Sequence, residues 1–269
     1  MPDRVFPRAN KRLGQNFLID PNIIRKIVAT ADLSSEDTVL EIGPGRGILT
    51  DALSRAVRRV VAVEIDPELH GLLRDRQADQ PNVELVCADA LAYPLEGLPN
   101  KTIVVANLPY YISTPLLFRL LEHRRRFPRL VLMLQNEVAD RLVAKAGSAD
   151  YGVLSVMAQY AADITKVFRV SAECFRPRPE VGSAVVLLRT KQETLLPPHE
   201  ESTFTGLVKA AFAHRRKTLV NSLRDEGYQP HIVISALTDM EILPTVRAET
   251  LTLEQFAQLT GRLSHSDHR

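Results

Sequence analysis

Apolar residues in the first half of the chain fall into short unbroken runs, with stretches of helical spacing between them. The runs are Val39-Leu40-Glu41-Ile42, Val60-Val61-Ala62-Val63, Val83-Glu84-Leu85-Val86-Cys87, Thr102-Ile103-Val104-Val105-Ala106 and Leu130-Val131-Leu132-Met133-Leu134-Gln135. Each is too short for a core helix and lacks the alternation of a half-exposed strand, so each predicts a strand buried on both faces. Helical patterns open near Pro21, Ile48 and Pro67. Strands alternating with helices build a parallel sheet, and such sheets bind ligands at the carboxyl ends of their strands.

The rhythm changes after a helix running through Leu154, Val156, Met157 and Tyr160. Two runs, 163–168 and 184–188, flank the loop Phe175-Arg176-Pro177-Arg178-Pro179-Glu180-Val181-Gly182-Ser183 with no helix between them. That arrangement predicts an antiparallel pair closing the sheet edge. Residues from Thr190 to Ser202, with Pro197-Pro198 and several charges, read as a linker. Helical patterns follow at 204–212, 217–223, 230–237 and 253–263. The expected organisation is an α/β domain over 1–190, a linker over 191–202 and a small all-helical domain over 203–269.

Composition narrows the class. With 269 residues, 45% of them hydrophobic and 25% charged, the chain can bury a sizeable core. The net charge is only +2, so a nucleic-acid surface has to come from local clusters such as Arg8 with Lys11 and Arg12, Arg124-Arg125-Arg126, and Arg215-Arg216-Lys217. Neither the two cysteines, Cys87 and Cys174, nor the seven histidines have metal-ligand spacing, so no metal is expected. Cys87, within a strand, is expected to be a small buried hydrophobe. There is no signal-peptide pattern and no apolar stretch of about 18 residues, which points to a soluble cytoplasmic protein.

Candidate chemistry gathers at the strand ends. Gly43-Pro44-Gly45-Arg46-Gly47 follows the first run and opens a helix, the layout of a nucleotide-binding βα unit. Its G-x-G-x-G spacing and the carboxylate of Glu41 disfavour a pyrophosphate and NAD, whereas Glu41 would attract an ammonium. This points to S-adenosylmethionine. Glu64, ending the second run, is placed to accept from both ribose hydroxyls. Ile65 is expected on the adenine face, Asp66 as the cap of the helix at Pro67, and Asp89 as an acceptor for the adenine amine. The fourth run ends in Asn107-Leu108-Pro109-Tyr110. Asn107 offers an amide oxygen and Leu108 a carbonyl to a planar exocyclic amine, Pro109 fixes the chain direction, and Tyr110 is free to stack on a base. Phe175, on its proline-stiffened loop, is expected to sandwich that base against Tyr110.

These stretches resemble the dimethyladenosine transferases, bacterial enzymes that dimethylate adenosines of small-subunit ribosomal RNA. The resemblance rests on Lys11-Arg12-Leu13-Gly14-Gln15-Asn16-Phe17-Leu18, Glu41-Ile42-Gly43-Pro44-Gly45, the Asn107 tetrad, Tyr151-Gly152-Val153-Leu154-Ser155, the Phe175-to-Ser183 loop and Arg215-Arg216-Lys217-Thr218-Leu219. It implies a Rossmann-like class I methyltransferase sheet. S-adenosylmethionine would be held by Asn16, Leu18, Gly43, Glu64, Asp89 and Asn107, which adds the N-terminal arm to the residues picked out by chemistry. Catalysis would fall to Asn107, Leu108, Tyr110 and Phe175, and RNA contacts to Arg12, Arg215, Arg216 and Lys217. The implied substrate is N6 of two adjacent adenosines in a hairpin near the 3' end of 16S rRNA, methylated by a monomer during small-subunit biogenesis, with no DNA or membrane partner. The sequence departs from the family pattern at Tyr111, where Asn is frequent, and at Asn136, where Lys is usual. Resistance-type methyltransferases of large-subunit rRNA share the cofactor motifs but not the Arg-Arg-Lys-Thr helix start. A DNA adenine-N6 methyltransferase would need a larger recognition domain, and a noncatalytic RNA-binding assembly factor would not need Gly43, Glu64 and Asp89.

Overall fold

A computed structural model of the chain describes residues 9–10, 13–214 and 216–266. In chain order the elements are β1 (Phe17–Leu18), α1 (Pro21–Ala31), β2 (Thr38–Ile42), α2 (Ile48–Ser54), β3 (Arg59–Glu64), α3 (Pro67–Arg76), β4 (Val83–Cys87), β5 (Ile103–Asn107), α4 (Ser113–Glu122) and β6 (Arg129–Gln135). There follow α5 (Asn136–Leu142), α6 (Val153–Ala161), β7 (Ala162–Val170), β8 (Phe175–Arg176), β9 (Ser183–Thr190), α7 (Glu201–Phe212), α8 (Leu219–Asp225), α9 (Pro230–Asp239) and α10 (Leu253–Ser266). They group into two compact units. One comprises the described residues up to Ala139 together with Ala162–Gln192, the other Asp140–Ala161 together with the described residues from Glu193 onward.

The first unit is built on a seven-stranded sheet of order β4-β3-β2-β5-β6-β9-β7. The strands from β4 to β6 are parallel, and β9 runs antiparallel to both β6 and β7. Four of the five apolar runs are buried as their composition requires: Val39, Leu40, Val60, Val61, Val104 and Val105 have no exposed surface, whereas the run forming β4 is partly exposed. The strand order reverses between β2 and β5, which pair over only Val39↔Ile103 and Leu40↔Val104, against five pairs between β2 and β3. Beyond those residues the two strands part, and a crevice at the carboxyl ends of an open sheet forms at such a reversal. Gly43 and Asn107 stand at its two sides.

Helix entry is set locally. Asp20 accepts from the backbone amides of Asn22 and Ile23 at 2.8 and 3.4 Å with Pro21 at the first helical position, and Asp66 does the same for Glu68 and Leu69 ahead of Pro67. Cys87 departs from expectation. It is exposed, because β4 pairs only with β3 and forms the edge of the sheet.

The larger departure is at the proline loop. Phe175 and Arg176 do not form a free stalk but pair, antiparallel, with Leu18 and Phe17 of the N-terminal arm. The Phe175 side chain is fully buried in the core of the first unit, in a cluster with Leu18, Ile24, Ile27, Val170 and Val185. With no exposed surface it offers no ring face to a base, and the sandwich expected of it is corrected accordingly.

The second unit is helical. Phe204, Val208, Leu219, Leu223, Val233, Leu237, Phe256 and Leu259 form its core, with Tyr160 stacked on Phe204 at a centroid distance of 4.5 Å. Val156 and Tyr160 of α6 belong to that core, so the helix expected within residues 1–190 packs with the C-terminal helices instead. Hydrogen bonds within the segment hold it together: Ser155 Oγ donates to the Arg141 carbonyl at 2.6 Å, and Gln159 Nε2 to the Leu142 carbonyl at 2.9 Å. Among the described residues, no helix is long and apolar enough to cross a membrane.

Candidate active site

A cleft of about 800 Å³, counted with its open mouth, lies over the carboxyl ends of β2, β3 and β5. Asn16, Leu18, Gly43, Glu64, Ile65, Asn107, Leu108 and Tyr110 all line it. Its floor is the glycine loop. Gly43 and Gly45 adopt φ of +67° and +58°, where side chains are disfavoured. A Cβ on Gly43 would come within 3.5 Å of the Pro109 ring, and one on Gly45 within 2.9 Å of the Phe17 ring, so the loop runs close beneath both the tetrad and the arm. Arg46 caps the same ring, with its guanidinium 4.7 Å from the Phe17 centroid.

Two carboxylates flank the loop in different states. Glu64 is 4% exposed. Its Oε2 accepts from the Gly45 amide at 3.2 Å and its Oε1 from the Asp66 amide at 3.0 Å. Burial raises its pKa, and those two amides work against the rise. Glu41, 1% exposed, has no backbone amide to offset its burial, only the Thr50 hydroxyl. Desolvation outweighs the lowering influence of that hydroxyl and, aided by the charges of Asp51 and Glu64, pushes it up to about 8, while its Oε2 has no hydrogen-bond partner among the described residues. It is an acid held neutral at the base of the cleft, with an acceptor left over for a cation.

The far wall is the tetrad. Asn107 Nδ2 donates to the Asn16 carbonyl at 3.3 Å, and Asn16 Nδ2 to the Gly14 carbonyl at 3.1 Å. The nitrogen of the Asn107 amide is thereby used on the arm, and its oxygen remains as the acceptor. Leu108 is buried, its amide donating to the Met133 carbonyl at 3.2 Å. Tyr110 is half-buried, with its hydroxyl 2.7 Å from Ser183 Oγ. The arm is tied down at both ends. Gln15 Nε2 donates to Asp66 Oδ2 at 2.9 Å, and the Ile19 amide to the Cys174 carbonyl at 2.9 Å.

Ile65 and Tyr111 are large side chains left 39% and 48% exposed on the cleft wall. The Tyr111 hydroxyl is raised by burial first and then by the charges of Asp89 and Glu64. Asp89 itself stands on the exposed turn after β4, outside the cleft lining, and accepts from the Leu91 amide at 2.8 Å. Arg119 of α4 grips that turn through the Ala90 and Tyr93 carbonyls at 2.7 and 2.5 Å. The order of the residues has no signal for Arg119 or for Ser183, because each acts on a residue far away along the chain.

Arg12 and Arg215 lie outside the described residues. Arg216 is exposed, whereas Lys217 is ion-paired with Asp225, a carboxyl held below its usual range by Lys217 and then Arg224. The 124–126 run is largely structural: Arg124 is buried and Arg126 donates to the Leu98 carbonyl, leaving Arg125 exposed. Among the described residues no group of histidine, cysteine or acidic side chains could hold a metal ion.

The family model described as ribosomal RNA adenine dimethylase matches residues 7–265. The chain belongs to that family. Among its curated relatives, "Ribosomal RNA small subunit methyltransferase A" of Moorella thermoacetica is 42% identical over 272 residues, covering 97% of this chain and 94% of that protein. The protein of the same name from Geobacter metallireducens is 44% identical over 260 residues, covering 94% of each. Solved structures of family relatives share the architecture. A dimethyladenosine transferase from Plasmodium falciparum is similar with a TM-score of 0.80 at 28% identity, covering 90% of this chain and 95% of its own. The 23S rRNA methyltransferase ErmE is similar with a TM-score of 0.72 at 30% identity, covering 93% of this chain and all of its own. The fold is the Rossmann-like methyltransferase sheet that the resemblance implies, and the chain is a methyltransferase of this family.

Proposed function

We propose that the protein dimethylates N6 of two adjacent adenosines in a hairpin near the 3' end of 16S rRNA, in the small ribosomal subunit or its precursor. S-adenosylmethionine is the donor, and the enzyme acts as a cytoplasmic monomer. The observation that carries this reading is the anchored amide of Asn107 on the cleft lining, whose nitrogen donates to the arm and leaves its oxygen as the acceptor for a ligand.

Several features support the fit of the donor. The positive φ of Gly43 and Gly45 keeps the loop free of side chains, and the unpartnered Oε2 of Glu41 suits a ligand that brings an ammonium. Glu64, with one amide on each oxygen, keeps a lone pair on each for ribose hydroxyls. Ile65 and Tyr111 offer apolar surface to the purine, Leu18 lines the same cleft, and Asp89, on the turn after β4, accepts from the adenine amine.

The bound donor supplies an electrophilic methyl group. The adenine amine is a poor nucleophile because its lone pair is delocalised into the ring. Asn107 Oδ1 and the Leu108 carbonyl accept its two hydrogens, which favours a pyramidal nitrogen with its lone pair directed at the methyl. The charge that develops on N6 then meets fixed oxygen dipoles. The N6–carbon bond forms as the sulfonium–carbon bond breaks, and the proton passes to solvent afterwards, so no strong base is required. Tyr110 carries a base taken out of its stack. Arg12, Arg215 and Arg216 contribute RNA contacts, with a smaller part for the ion-paired Lys217.

ErmE favours a second reading, a large-subunit methyltransferase, through its similarity over its whole length. The curated relatives at 40–44% identity carry the small-subunit name, and we rank that substrate first for this reason. The test is methylation of small subunits lacking the modification, with naked 23S rRNA and DNA duplexes as competitors. Dimethyladenosine appearing only in the small-subunit RNA is the expected result; transfer to 23S rRNA alone would make the second reading the better one.

A further inference from the structure

We propose that Ser183 is a positioning residue for the reaction, holding the Tyr110 ring in the orientation that receives the target base. The inference rests on the function proposed above. Ser183 opens β9, a strand that continues through Ala184, Val185, Val186, Leu187 and Leu188, and it is fully buried. A hydroxyl in such surroundings is costly unless it is bonded, and the Tyr110 hydroxyl 2.7 Å away is its partner.

The anchor is itself immobile. Ser183 is paired with Gln135 of β6 on one side and Val170 of β7 on the other. The preceding Gly182 is packed so closely that a Cβ there would stand 2.8 Å from Asn136 Nδ2 and 3.2 Å from the Val170 carbonyl. The Gly182 carbonyl accepts from the Asn136 amide at 3.0 Å. At the other end, Ser113 Oγ donates to the Tyr110 carbonyl at 3.1 Å. The ring is therefore fixed at its backbone by α4 and at its hydroxyl by β9. Phe175 is buried in the core, so Tyr110 is the ring of this pair that lies on the cleft wall. A stacking surface helps transfer only if the amine it presents is correctly aimed, and small misplacements are expensive.

The experiment uses the full chain with Ser183→Ala, Tyr110→Phe, their combination and Ser183→Thr. Donor affinity is measured by calorimetry with S-adenosylmethionine, and kcat and KM on unmethylated small subunits. Both single variants should lose about 10- to 100-fold in kcat with donor affinity unchanged. The double variant should be no worse than the poorer single, since both remove one interaction. Ser183→Thr, which keeps the hydroxyl, should recover most of the loss. Tyr110→Phe keeps the ring and most of the packing, so it remains informative if Ser183→Ala folds poorly. Unchanged kcat in Tyr110→Phe, or losses that multiply in the double variant, would overturn the proposal. Failure of the unmodified chain to bind donor or transfer methyl groups would overturn the functional reading instead, and this inference with it.

Discussion

Tyr110 and Phe175 are the two aromatic side chains that local reasoning sets against each other, and they end in opposite environments. Tyr110 lies half-buried on the cleft wall with its hydroxyl on Ser183, whereas Phe175 has no exposed surface and packs among Leu18, Ile24 and Val185. The two stretches look alike in sequence, each an aromatic beside prolines near a strand end. The difference comes from the partner strand. Phe175 pairs with Leu18, so the arm that closes over the cleft turns the ring inward, and the residue that looks like a clamp is the rivet of the arm.

That contrast is open to direct attack. The largest effect expected is on stability: Phe175→Ala should cost about 3–5 kcal/mol by denaturant unfolding, as for other buried aromatics. Tyr110→Phe, which removes one hydrogen bond at a half-buried site, should cost about 1 kcal/mol while sharply reducing turnover. Equal unfolding midpoints for the two variants would abolish the distinction.

Asn107→Ala comes next. Removing the proposed acceptor should lower kcat on small subunits by about 100- to 1,000-fold, the scale of a lost oriented dipole. RNA affinity by filter binding should be nearly unchanged, and a parallel loss of RNA binding would mean that Asn107 serves the arm rather than the reaction.

A smaller and graded effect concerns Glu41. Its folded pKa of about 8 lies above its ordinary value of 4.5, so the native state keeps a proton that the unfolded chain releases. Its contribution therefore favours folding below about pH 4.5 and is eroded as pH rises toward 8, by up to about 1.4 kcal/mol per pH unit. Thermal unfolding from pH 5 to 8 should fall less steeply for Glu41→Gln than for the unmodified chain. Saturating S-adenosylmethionine should flatten the slope of the unmodified chain, since an ammonium would favour the charged carboxylate. Superimposable pH profiles would show that Glu41 is not held neutral.

The smallest expected effects lie in the second unit. Arg216→Ala should reduce the slope of log affinity against log salt by about 1, while Lys217→Ala, which breaks an existing pair with Asp225, should do less. The reverse ranking would assign the free charge to Lys217.

Most of the sheet was legible, because strands buried on both faces must be almost wholly apolar and the helices between them impose parallel order. The caps Asp20 and Asp66 were legible for a local reason: a short acceptor just before a proline-started helix has few other uses. The environment of Cys87 was not, since a strand reads alike whether it lies at the centre or the edge of a sheet, and only the order of strands makes β4 an edge. The position of α6 was hidden in the same way. Its apolar face is plain in the residues, but the surface it covers belongs to helices that begin beyond Glu193.

By itself, the sequence determined the parallel sheet, the glycine loop under the cleft and the residues at each strand end, because these follow from interactions within a few residues. Only the tertiary structure decided which way the end groups face. Asn107 presents its oxygen because the arm takes its nitrogen, the Glu41 carboxyl is pushed up because the fold buries it beside Asp51 and Glu64, and Phe175 is core because Leu18 pairs beside it. Each outcome depends on a contact between residues distant along the chain, and desolvation then makes that contact obligatory for a buried polar group.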